Sequence, residues 1–107
     1  LANKETARYA VRKKLESLNL FYHYSYRAVS IRNQKTRWGS CSQRGNLSFN
    51  VKILFLPERL QDYLIVHELC HLKELNHSQH FWNLVAQTIP DYAARRRELR
   101  AITFVRS

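Results

Sequence analysis

The chain has 107 residues, 45% hydrophobic and 24% charged, enough for one domain, residues 1–107, with a modest core and no disulfide staples. Its 18 Lys and Arg against 8 Asp and Glu give a formal charge of +10, which favours nucleic acid, nucleotides or acidic polypeptide as partners and equally describes a solvated basic surface. No apolar run reaches the roughly 18 residues that span a bilayer, no signal-peptide core opens the chain, and the two cysteines, Cys41 and Cys70, suit a reducing interior, so a cytoplasmic protein with no membrane partner is expected.

The first residue is not methionine, which fits a trimmed chain or one domain of something longer. Residues 3–18 carry Ala7, Ala10, Val11, Leu15 and Leu18 at helical spacing and predict an amphipathic helix. From 22 to 32 the pattern turns strand-like, with Tyr24, Tyr26, Val29 and Ile31 alternating with polar or small residues. A turn at 33–35 leads into a hairpin, residues 37–41 and 47–50, closed around Gly45. The segment Leu47–Asn50 is read as sheet core and Trp38 as core. Pro57 is placed at the first position of the next helix, whose Leu60, Leu64, Leu69 and Leu72 predict burial.

That helix contains His67-Glu68-Leu69-Cys70-His71, an H-E-x-x-H run. Residues four apart share one helix face, about 5–6 Å between Cβ atoms, so both imidazoles can converge on one ion. Catalytic zinc takes three protein ligands and a water, and Glu68, rotated about 100° from its neighbour, can reach that water without joining the coordination shell. Zn2+ is the expected cofactor. His77 lies six residues past His71, and a straight helix would turn it about 120° off the metal face. The helix is therefore expected to break before His77, with Asn76 in the left-handed conformation and Ser78 capping the next helix. His77 is the favoured third ligand; Glu98 and Asp91 are the carboxylate alternatives, and His80, inside the following helix, is read as a polar surface residue. That helix spans 78–88 with Phe81, Trp82, Val85 and Ile89 inward and Pro90 stopping it; a basic helix follows from 91 to 101. The order predicts an α+β domain: N-terminal helix, small antiparallel-containing sheet, zinc-motif helix and C-terminal helices.

Arg37-Trp38-Gly39-Ser40-Cys41-Ser42, the zinc motif, Asn76-His77-Ser78 and Phe81-Trp82, in this order, resemble the YgjP-like and SprT-like metallopeptidase domains. The likeness covers nearly the whole chain and implies a minimal zincin fold with His67, His71 and His77 on zinc and Glu68 as catalytic carboxylate. Peptide hydrolysis then has Glu68 as general base on a zinc-bound water, and Tyr63, His80, Tyr92 and Arg37 are the residue types able to donate to the oxyanion. The same likeness leaves two alternatives: a metal-dependent pyrophosphatase acting on nucleotides such as UTP, and a nucleic-acid-associated module with protease activity toward DNA-bound protein. The likeness further implies that Leu47–Asn50 offers an exposed sheet edge above the zinc to an extended substrate. Cys41 is expected as a buried free cysteine, with approach to the metal as the alternative, and residues 95–107 as a segment able to fold over the cleft and inhibit it.

Overall fold

The computed structural model describes residues 3–102. Helix α1 runs from Lys4 to Tyr22, started by Asn3, whose Oδ1 accepts from the Thr6 N–H at 2.8 Å. Ala7, Val11 and Leu15, four residues apart, form its buried stripe, with Tyr22 at the far end. The helix runs four residues past the end its apolar period predicts and closes on His23, which takes the left-handed conformation (φ 57°) and returns its N–H to the Asn19 carbonyl. Asn19 also bonds both the N–H and the carbonyl of Tyr24 through its carboxamide. The strand expected from residue 22 therefore cannot begin there, and β1 is confined to Ala28–Arg32.

Strands β2 (Gly39–Cys41) and β3 (Asn46–Asn50) form the expected hairpin, pairing antiparallel with Ser40 opposite Ser48. Gly45, at φ 85°, makes the turn. The sheet order is β1-β3-β2, and β1 lies parallel to β3 with Ile31 opposite Phe49. This corrects the reading of Leu47–Asn50 as an exposed edge: β3 is paired on both sides and Leu47 through Asn50 are all buried. The free edge beside the next helix belongs to β2.

A 3-10 helix, Val51–Phe55, connects β3 to α2, Glu58–His71, with Pro57 one position earlier than expected, at the cap. α2 packs against α1, α3, α4 and β2, which is why its burial is nearly continuous from Tyr63 to His71. α3 (Gln79–Ala86) is capped by Ser78, whose Oγ accepts from the Phe81 N–H. α4 (Tyr92–Ala101) follows Pro90. None of these helices is long and apolar enough to cross a membrane. The α+β class is as the sequence predicts.

Asn50 ties the sheet to the loop before β2. Its Nδ2 donates to the carbonyls of Gln34 (2.7 Å) and Arg37 (2.8 Å), and its Oδ1 accepts from the Lys52 N–H. With Asn50 only 1% exposed, Asn50→Ala leaves these groups without partners, and urea denaturation is expected to register a loss of about 2–4 kcal/mol. An unchanged midpoint would show that water replaces the carboxamide.

Candidate metal centre and cleft

α2 presents His67 and His71 one turn apart with their Nε2 atoms 3.2 Å from each other. The helix stops at His71, and His77 returns from the following loop to place its Nε2 at 3.0 Å from His71 and 3.2 Å from His67. Asn76 does not supply the break, because His23 is the positive-φ non-glycine residue among those described. The end of α2 tightens instead: Leu72 and Lys73 bond back three residues, to Leu69 and Cys70. His71 Nδ1 closes this turn by donating to the Glu74 carbonyl at 2.9 Å.

That bond settles a tautomer. A carbonyl only accepts, so His71 carries its proton on Nδ1 and turns the Nε2 lone pair toward the other two rings. Tyr63 Oη lies 3.3 Å from His67 Nδ1, the atom of that ring directed away from the cluster. Phe81 stacks on the His71 ring (centres 4.3 Å apart, 20° between planes), and Trp82 on His77. Burial first, then neighbouring charge, lowers His67 to about 3; His71 and His77 are lowered as well, and Arg96 contributes at His67 and His77. Neutral imidazoles are the metal-binding form. A tetrahedral ion with bonds of about 2.0–2.1 Å holds its nitrogens about 3.4 Å apart, close to the separations found here. These three residues therefore fit a metal ion as a group.

The carboxylate alternatives lie elsewhere: Glu98 pairs with Arg59 and Asp91 with Arg95. His80 is exposed, 3.9 Å from Glu74 and outside the cluster. Cys41 is a half-buried free thiol pushed up to about 11 by burial and then by Glu68; it lines the cleft but is not part of the convergent group.

Glu68 sits beside the histidines, 5% exposed, and burial pushes its carboxyl up to about 8 against the pull of Arg37. Gly39 leaves it room, since a Cβ at that position would lie 3.2 Å from both Cγ and Oε2 of Glu68. Of the donor types read from the sequence, Tyr63 and Arg37 line the cleft, whereas Tyr92 stacks on Trp82. Trp38 packs against the core and also lines the cleft, so the core reading describes half of its surroundings. Sequence reasoning missed Arg96 and Arg100 as cleft residues, because a run of arginines gives no sign of which side chains face inward. It also missed the partnership of Tyr63 with His67, although their four-residue spacing was a usable signal. α4 forms one wall of the cleft through Arg96, Leu99 and Arg100, while residues 103–107 lie outside the described residues.

Residues 2–102 match the model of a family described as YgjP-like, metallopeptidase domain. Among solved structures, the metallopeptidase zymogen of Pyrococcus abyssi abylysin is similar at a TM-score of 0.72 and 27% identity, over 89% of this chain and 99% of that one. The metallopeptidase zymogen of Methanocaldococcus jannaschii jannalysin is similar at 0.63 and 28% identity, over 88% and 91%. No curated protein sequence matches.

Proposed function

As the chain belongs to the YgjP-like metallopeptidase family, we propose that it is a single-domain zinc peptidase in which His67, His71 and His77 hold the ion and Glu68 is the general base. The observation that supports this most is the meeting of three imidazole Nε2 atoms within 3.0–3.2 Å beside a buried carboxylate. Zinc bound there supplies a Lewis acid that polarises the scissile carbonyl and brings the pKa of a water toward about 7. The three imidazoles suit that ion in donor type and number, and α2 holds two of them rigidly.

Glu68 takes a proton from the attacking water on a carboxylate oxygen and passes it to the departing amine. Burial raises the carboxyl in the metal-free site, and a bound dication beside it would draw it back toward the ionised form that a base needs. Glu74 and Tyr63 orient His71 and His67 through their Nδ1 atoms. The substrate backbone pairs with the free edge of β2, since Gly39, Ser40 and Cys41 line the cleft next to the histidines. A reducing cytoplasmic setting suits the two free cysteines.

The test is hydrolysis of an unfolded protein by the purified chain. Activity should vanish with a chelator and return on adding about one equivalent of zinc. Because abylysin and jannalysin were solved as zymogens, the assay should include the chain trimmed after Ile102. A zinc-loaded protein that leaves polypeptide intact in both forms, yet hydrolyses UTP, would replace this reading with the pyrophosphatase one.

A further inference from the structure

Beside the histidines lies a cavity of about 290 Å³ lined by arginines from two directions. Arg96 and Arg100, four residues apart on α4, share one wall. Arg37 enters from the loop that Asn50 anchors. Other cations nearby are engaged: Arg95 pairs with Asp91 and donates to the Arg59 carbonyl, and Arg59 pairs with Glu98. Among the described residues Arg37, Arg96 and Arg100 meet no carboxylate at salt-bridge distance. Arg96 instead rests over the Trp82 ring, 5.1 Å from its centre. Glu68 is the one carboxylate lining this cavity among the described residues, and it is turned inward and buried.

We infer that this cavity is a substrate subsite for a peptide carboxylate, an Asp or Glu side chain or a free C-terminus next to the scissile bond, held by Arg96, Arg100 and Arg37. This rests on the peptidase reading and adds the class of substrate to it. Guanidinium groups match a carboxylate through paired N–H donors; Arg96 is half-buried, and Arg37 and Arg100 are exposed at the mouth of the cavity. Trp38, Leu64 and Leu99 supply apolar wall for the methylenes of a side chain. The volume, at the lower bound of the about 300–1,000 Å³ of ligand pockets, has room for a carboxylate side chain. The chain also has only two glycines and no glycine-rich phosphate loop.

The experiment separates binding from cleavage. Titration calorimetry on the full chain carrying Glu68→Gln, loaded with zinc, would compare peptides that differ only by Glu or Gln at each position and by free or amidated C-terminus. At least one carboxylate should bind about tenfold or more tighter than its neutral counterpart, and the position identifies its source. The preference should fall about tenfold in Arg96→Gln and in Arg100→Gln, each combined with Glu68→Gln; circular dichroism would check that α4 persists. Equal binding of charged and neutral peptides, a preference untouched by both arginine changes, or tighter binding of UTP than of any peptide would overturn the subsite. Cleavage of the same peptides by the wild-type chain reports the peptidase reading on its own: peptides cut without charge preference would remove the subsite and leave the peptidase. Carboxylate-selective binding with no cleavage would remove the peptidase reading and leave a carboxylate-binding cavity that is not a substrate subsite.

Discussion

A Glu68→Gln chain is expected to keep its zinc and to lose peptide hydrolysis by about 10²–10⁴-fold, the usual contribution of a placed general base. The amide has nearly the shape of the carboxylate, so it fits the narrow space left by Gly39, where there is no room for a larger group. It cannot accept a proton from water at neutral pH. Folding should be unharmed, because a neutral amide is less costly to bury than a carboxylate that is 5% exposed. Elemental analysis and steady-state kinetics on the same preparation check both halves. Full activity with bound zinc would remove Glu68 from the mechanism; loss of the zinc would make it a ligand or a prop for one.

His77→Ala should lower zinc occupancy from about one per chain to little, and with it all metal-dependent stabilisation. In the wild type, zinc at about 100 times its dissociation constant adds about 2.7 kcal/mol to folding, visible as a higher melting temperature. The variant should melt at the same temperature with and without zinc. His77 is exposed, its ring stacking on Trp82 and meeting Phe81 edge-on, so the metal-free variant should still fold. His80→Ala provides the contrast: its exposed ring lies near Glu74, away from the cluster, and zinc binding should not change. Unchanged occupancy in His77→Ala would move the third ligand elsewhere.

The convergence of the three histidines was largely legible because its information is local. Two histidines four apart on one helix must share a face, and a third six residues on can join them only if the helix ends. Those statements need no knowledge of the rest of the chain. The cap at Ser78 and the stop at Pro90 follow the same kind of short-range rule. The break itself was misread: a left-handed Asn76 was expected, whereas tightened bonds from Leu72 and Lys73 and the His71–Glu74 contact do the work. Both routes satisfy the last carbonyls of α2, and the sequence does not choose between them.

The sequence by itself determined the α+β order, the hairpin, and the histidines and carboxylate that can meet on α2. Only the tertiary structure decided that β1 pairs with β3 in parallel, which buries β3 and leaves β2 as the edge beside the cleft. Tertiary packing also decided that Arg96 and Arg100, rather than Arg95, line the cleft beside the histidines. The reason is the range of the interactions. Spacing and capping depend on residues a turn apart, whereas strand partners and inward-facing arginines depend on how elements tens of residues apart bury their apolar faces together.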